Sequence, residues 1–351
     1  MAYNRAFIAA LARARRSLDP AAARAQYWAV RISSQRIRAV VLAFTLTACA
    51  SMSQTENEVY QRLSGGKLEY WLSLHDAASL HWPYAWAAVA AYQDLDDEKS
   101  HRLQTTPECP HPTVFLPAND WVLWDDLPLL SRKDPPGSPG DVMRTAHLRA
   151  TVWANQAQRK IVVAFGGTAW SSAEDWKSDL RWFLAPLHLD DEYEVLSAVF
   201  VPLLASTYAR KAAQPGGEWL KHSEVIASGH SLGAGLAQRF AYSWNLDARV
   251  PRVHEVYAFD PSPVSGKREV QGWEQAAQGL TIFRIYNRGE ILASVRSILN
   301  LYEDPPQAQG QHWIDIRYRN EWSWKTLLPA GAVHAHRIFD IACKMKDAAK
   351  V

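Results

Sequence analysis

The residues best suited to chemistry are the five from Gly229 to Gly233, which read Gly-His-Ser-Leu-Gly. A serine with a glycine two positions away on each side is typical of a nucleophile elbow, a sharp turn between a strand and a helix. Residues 224–228 predict a buried strand before the turn, and residues 231–245 predict a helix after it. We therefore predict that Ser231 is a nucleophile for acyl transfer, with a glycine-rich turn and an idle serine as the alternative.

Two further motifs precede the elbow along the chain. Residues 161–168, Ile-Val-Val-Ala-Phe-Gly-Gly-Thr, predict an apolar strand that ends in a Gly-Thr loop. Residues 175–179, Asp-Trp-Lys-Ser-Asp, begin a segment with apolar residues at helical spacing. In this order, the three motifs resemble the class 3 (fungal-type) lipases of the α/β-hydrolase fold, over residues 146–345. The resemblance implies an α/β protein with a mostly parallel central sheet, which cleaves carboxylic esters of lipids through an acyl-enzyme.

The same resemblance implies an oxyanion hole, the pair of donors that stabilises the tetrahedral intermediate. Its donors would be the backbone N–H groups of Thr168 and Leu232, and Asp179 would orient the Thr168 hydroxyl. The amphipathic segment around Asp179 is either a lid, as in the family, or an ordinary surface helix. One departure is Gly166, where the family commonly has arginine; it removes a structural charge but neither donor.

Acyl transfer by serine also needs an acid that orients a basic histidine. Residues 252–259 and 281–286 predict two strands after the elbow, and a carboxylate follows each one: Asp260 and Glu290. In the family the acid follows the second strand, which favours Glu290, although the family usually has aspartate there. Asp260 remains the alternative, and its other interpretation is a turn or cap before Pro261.

The base should lie near the C-terminus, where a helix is predicted from about residue 333 to 346. Of the twelve histidines, His334 and His336 stand at the start of this helix. The family pattern of an apolar residue two places after the base favours His336, with His334 as the alternative and His312 a distant third.

The motifs of other functional classes are missing from the sequence. There is no His-Glu-x-x-His, no pair of Cys-x-x-Cys units and no aspartate-rich calcium loop, so no metal site is predicted. No phosphate-binding glycine motif is present. The predicted folded part shows no basic stripe for nucleic acid. We therefore predict no cofactor and no nucleic-acid partner.

The N-terminus has a composition of its own. Residues 1–48 contain eight arginines and one acid, a net charge of +7, whereas the whole chain carries +2 and the remainder therefore carries −5. Arginines precede a short apolar run, residues 39–44, and small residues lead to Cys49, which is the pattern of a cleaved signal. It also resembles a bacterial lipoprotein lipobox, which implies acylation of Cys49 and anchoring in the outer membrane, facing the periplasm. A buried or amphipathic N-terminal helix is the alternative.

The predicted organisation is a leader over residues 1–48, an N-terminal helical extension with a Pro/Gly loop over 49–143, and a hydrolase core over 144–351. Helical spacing is predicted from residue 59 to 91. Cys109 and Cys343 are expected to be two independent buried thiols rather than a pair. Most of the sixteen tryptophans are expected in an aromatic core rather than on a lipid-facing surface.

Several functions share such a constellation. A lipase, a phospholipase, a thioesterase and a polyester depolymerase would use the same catalytic residues, because the shape of the acyl pocket is not readable from the sequence. A catalytically silent lipoprotein scaffold on the same fold is the alternative from a different class. The predicted partners are a lipid or ester substrate and, through the lipid anchor, a membrane surface; the sequence does not predict an oligomeric state.

Overall fold

The computed structural model describes residues 58–63, 69–92, 105–128, 134–167, 190–262, 264–287, 308–318 and 337–351. The described residues belong to one compact unit, residues 54–351, and residues 1–53 lie outside the described residues. The predicted leader with its Cys49 therefore lies outside them too. The same holds for six predicted site or lid features: Thr168, Asp179, Glu290, His334, His336 and the segment from 175 to 183.

Within the described ranges, nine strands form one sheet in the order β2-β1-β9-β8-β7-β6-β5-β4-β3. Neighbouring strands from β5 to β9 run parallel, while β1, β2, β3 and β4 pair antiparallel at the two edges. This confirms the predicted α/β class with a mostly parallel central sheet. The strands are β1 (Glu58–Leu63), β2 (Glu69–Ser73), β3 (Val122–Leu123), β4 (Ala150–Asn155), β5 (Lys160–Phe165), β6 (Glu224–His230), β7 (Val253–Phe259), β8 (Thr281–Asn287) and β9 (His312–Tyr318).

The longer helices lie against the two faces of this sheet. No helix among the described residues is both long enough and apolar enough to cross a membrane. A π-helical turn joins α4 to α5 over Leu196–Phe200. The α-helices are α1 (Leu74–Ala90), α2 (Pro112–Ala118), α3 (Pro139–Thr145), α4 (Asp190–Val195), α5 (Val201–Ala212), α6 (Leu232–Trp244), α7 (Trp273–Ala276) and α8 (Ile338–Ala349).

The core lies on both faces of the sheet because successive strand residues point to opposite sides. Val163 of β5 packs in the cluster formed with α5 and α6, while its neighbour Val162 packs in the cluster formed with α1 and α8. Burial on both faces explains why the central strands are almost continuously apolar. Trp86, Trp121 and Trp124 are buried, as expected for an aromatic core, whereas Trp71 is exposed.

The predicted helical spacing from residue 59 to 91 is wrong in its first part. Residues of β1 and β2 form an antiparallel hairpin, with Glu58 opposite Ser73, and β1 also pairs with β9. Only from Leu74 is the segment helical, where the Ser73 hydroxyl accepts a hydrogen bond from the N–H of Asp76 at 3.1 Å. The reason is tertiary: the edge of β9 offers backbone partners that outweigh a local helical preference.

The expectation of two independent thiols is also wrong. Cys109 and Cys343 form a disulfide across 234 residues, with their Cα atoms 5.6 Å apart. Helices α1 and α8 pack side by side on one face of the sheet, as the contact of the Trp86 and Phe339 rings shows. This packing brings Cys343 of α8 to the segment before α2, an approach that no local pattern could reveal.

Candidate active site

Ser231 occupies the turn between β6 and α6, as the sequence predicts. Its backbone has φ 58° and ψ −122°. Residues other than glycine rarely adopt this conformation, which costs about 1–3 kcal/mol. Two hydrogen bonds hold the turn: the Ser231 N–H donates to the carbonyl of Phe259, and the Ser262 N–H donates to the carbonyl of Ser231, both at 3.0 Å. The neighbouring strand β7 therefore maintains the strained conformation expected of a nucleophile elbow.

The two outer glycines of the motif are required by contact with backbone. A Cβ on Gly229 would overlap the carbonyl of Gly233, and a Cβ on Gly233 would overlap the carbonyl of Phe165 at the end of β5. The helix can thus begin close to the strands only because these side chains are absent.

The hydroxyl of Ser231 lies at the edge where the parallel strands end. The residue is 3% exposed, and its Oγ makes no hydrogen bond with the described residues. Leu232 is the first residue of α6, so its N–H has no acceptor within the helix. A Cβ on Gly167 would lie 3.2 Å from the Leu232 nitrogen. The end of β5 therefore passes beside the N–H predicted to hold an oxyanion, and Thr168 is the next residue along the chain.

Two side chains that the sequence analysis missed hold Gly167 in place. Arg149 donates from Nη1 to the Gly167 carbonyl at 2.6 Å. The Tyr92 hydroxyl lies 2.9 Å from Nδ1 of His230, the residue before the nucleophile. Burial raises the pKa of Tyr92, and a hydrogen bond with the Gly167 backbone opposes that rise only in part, so the phenol stays neutral. Neither residue lies in a motif, because both reach Gly167 from elsewhere in the sequence.

The packing shows why residue 166 is a glycine. A Cβ there would lie 3.0 Å from the Ala91 carbonyl oxygen and 3.2 Å from Cβ of Arg149. A side chain at this position would crowd both. The guanidinium of Arg149, the residue before β4, reaches the carbonyl of Gly167, so a positive charge lies beside this loop although residue 166 carries none.

Glu192 is the acid whose charge acts on Arg149, and it is itself desolvated. Burial raises the pKa of Glu192 to about 7, and the charge of Arg149 lowers it only in part. Burial likewise lowers the pKa of Arg149, which is 8% exposed, while Tyr92 and Glu192 act in the opposite direction. Burial of the Arg149 charge costs free energy, and the hydrogen bond to the Gly167 carbonyl offsets part of that cost.

Asp260 lies at the end of β7, directly beside the nucleophile turn. It is completely buried, and its Oδ1 accepts a hydrogen bond from the N–H of Asn287 at 2.8 Å. Its own N–H donates to the carbonyl of Ile285 at 2.7 Å. The structure thus places this predicted carboxylate one strand from Ser231.

His312 is not brought to the site. It is exposed at the amino end of β9, opposite Thr281 at the amino end of β8. Because β5 to β9 are parallel, this end of the sheet is the one away from Ser231. The remaining predicted residues of the active site lie outside the described residues: Thr168, Asp179, Glu290, His334 and His336.

No family model matches the chain, and no curated protein matches it. Similar solved structures include a lipase from Rhizopus microsporus var. chinensis, 17% identical with a TM-score of 0.40, over 67% of this chain and 71% of that one. Lip2 lipase from Yarrowia lipolytica is 16% identical with a TM-score of 0.39, over 63% and 74%. The Rhizomucor miehei lipase propeptide complex is 14% identical with a TM-score of 0.38, over 69% and 70%. Identities and scores this low do not assign an activity to this chain. By its own sheet order and its strand–turn–helix elbow, the chain has an α/β-hydrolase fold.

Proposed function

We propose that the protein is a serine hydrolase that cleaves carboxylic ester bonds of lipids through an acyl-enzyme on Ser231. The observation that carries the proposal is the strained Ser231 turn between β6 and α6, followed by Leu232, whose N–H has no acceptor within its own helix. Backbone strain of this kind costs free energy and is found mainly at functional sites. In a nucleophile elbow it holds the serine clear of the sheet.

The proposed reaction follows the serine hydrolase sequence. His336, or His334 in its place, removes the proton of the Ser231 hydroxyl as Oγ attacks the ester carbonyl. The N–H groups of Leu232 and Thr168 stabilise the oxyanion that forms, and Asp179 supports Thr168. The intermediate collapses to the acyl-enzyme while the imidazolium protonates the departing alcohol. Water, activated by the same histidine, then releases the fatty acid and restores Ser231.

Two carboxylates are candidates for the acid that stabilises the imidazolium. The resemblance to class 3 lipases, in which the acid follows the second strand after the elbow, favours Glu290, whereas complete burial beside the elbow supports Asp260. A carboxylate that is completely buried and held by a backbone N–H has the fixed geometry that this role requires. We keep Glu290 as the proposed orienting acid and Asp260 as its rival, and paired substitutions of the two separate them.

We also propose that the enzyme acts in the cell envelope, anchored at a membrane surface by an acylated Cys49. The disulfide between Cys109 and Cys343 supports an oxidising compartment, since such bonds form and persist outside the cytosol. The acyl chains would hold the site at a bilayer surface, close to its lipid substrates.

The direct test is fluorophosphonate labelling of the purified protein with peptide mass spectrometry, alongside hydrolysis of p-nitrophenyl esters of graded acyl length. We expect the label on Ser231, turnover of esters, and loss of both in Ser231→Ala. The matched control is Ser223→Ala, which removes another buried serine, at the opposite end of β6, where its Oγ contacts Tyr208 at 2.7 Å. Absence of label and turnover in the folded wild type would favour a silent scaffold, and preference for thioesters or polyesters would change the substrate class.

A further inference from the structure

We propose that Arg149 is a positioning residue that sets the orientation of the oxyanion hole by holding the carbonyl of Gly167. This inference rests on the proposed hydrolase function. It assigns a role to a buried cation that the catalytic steps above do not use.

One planar peptide group links the Gly167 carbonyl to the expected oxyanion donor. A trans peptide is planar, so its C=O and its N–H point in opposite directions. The carbonyl of Gly167 shares its peptide with the N–H of residue 168, the donor expected in the oxyanion hole. Whatever fixes that carbonyl therefore also fixes the direction of that N–H.

The order of the strands determines what lies on either side of Gly167. Strand β5 lies between β4 and β6, and Gly167 follows β5. Arg149 directly precedes β4, where its carbonyl accepts the N–H of Gly166 at 3.2 Å. Leu232 follows β6 on the other side. The guanidinium holds the Gly167 carbonyl from the β4 side. Peptide planarity then leads us to expect the N–H of the same peptide on the opposite side, where β6 and Leu232 lie.

The hydrogen bond between Arg149 and the Gly167 carbonyl lies in surroundings that strengthen it. The 2.6 Å bond is charge-assisted and largely shielded from water, which makes it stronger than a bond between neutral groups. Tyr92 holds the same glycine through its backbone, and a Cβ on Gly167 would lie 2.7 Å from the Tyr92 hydroxyl. With Arg149 removed, the glycine peptide could rotate, and its carbonyl would then face the position where a donor is required.

The test compares Arg149→Met and Arg149→Lys with the wild type in ester hydrolysis. We expect Arg149→Met to lower kcat about 100-fold or more with little change in KM, as for loss of one oxyanion donor. Arg149→Lys retains a cation that can reach a carbonyl and should recover part of kcat. The readout specific to the oxyanion is the preference for an ester over its thionoester, because sulfur accepts hydrogen bonds weakly. That preference should fall in Arg149→Met.

The matched control is Arg252→Met. Arg252 also holds backbone carbonyls, those of Asn245, Ala276 and Gln278, but it does so next to the amino end of β7, away from Ser231. We expect this variant to lose stability while keeping kcat and the thionoester preference.

An unchanged kcat in folded Arg149→Met, or an unchanged thionoester preference in both Arg149 variants, would overturn the inference and leave the serine hydrolase proposal intact. A wild type without ester turnover would overturn both.

Discussion

The buried carboxylate of Asp260 accepts a hydrogen bond from the backbone N–H of Asn287, with Oδ1 and N 2.8 Å apart. This bond joins the ends of β7 and β8 at the edge where Ser231 lies. The carboxylate is therefore fixed one strand from the nucleophile, and the segment that leads from Asn287 to Glu290 is fixed where it begins.

Asp260→Asn should separate charge from structure at this position. The amide keeps an oxygen that can accept the Asn287 N–H, so we expect the folded state to persist while the negative charge is lost. If Asp260 orients the catalytic histidine, kcat should fall about 10³- to 10⁴-fold. The matched variant Glu290→Gln should then have a small effect. The opposite ranking of the two variants in steady-state ester hydrolysis would assign the acid to Glu290.

Gly233→Ala should disrupt the elbow by steric overlap. Its Cβ would overlap the Phe165 carbonyl, and backbone at the end of β5 cannot move aside cheaply. We expect a loss of stability of about 2 kcal/mol or more and a large loss of fluorophosphonate labelling. Denaturant unfolding and labelling measure the two effects.

Gly279→Ala is the control for this substitution. Gly279 has a positive φ of 72°, but no atom lies within 4 Å of the position that its Cβ would take, so only backbone strain is introduced. Its stability should fall by about 1 kcal/mol, with labelling unchanged. Equal effects of the two variants on labelling would contradict a steric requirement specific to the elbow.

Reduction of the disulfide between Cys109 and Cys343 should lower the free energy of unfolding by about 2–5 kcal/mol. The bond closes a long loop and so restricts the unfolded chain. Thermal unfolding with and without reductant measures the effect. The double variant Cys109→Ala, Cys343→Ala should match the reduced wild type and should not respond to reductant; a response would point to another reducible bond.

Glu192→Gln should change how stability depends on pH. The pKa of Glu192 in the folded protein is about 7, above its ordinary value of 4.5. Between these values the unfolded chain has released a proton that the folded protein still binds, so burial of Glu192 lowers stability progressively as pH rises through this window. The glutamine variant should therefore gain stability relative to wild type between about pH 5 and 8, on the order of 3 kcal/mol. Parallel curves for the two proteins in urea unfolding across this range would contradict the shift.

The sequence by itself determined the elbow and the strands that carry it. The steric demand on Gly229 and Gly233 arises within one strand–turn–helix unit, and the apolar runs that became β5, β6, β7 and β8 are long enough to be recognised individually. Since parallel strands place their ends at one edge, the fold class and the position of Ser231 followed from these local features.

Only the tertiary structure decided which distant groups support that turn. Arg149 reaches Gly167, Tyr92 reaches His230 across 138 residues, and Cys109 reaches Cys343 across 234. The first hairpin, too, took its form from the edge of β9. Such contacts are made by packing between elements rather than by the period of one element, and a single buried arginine or tyrosine carries no local pattern that announces its partner.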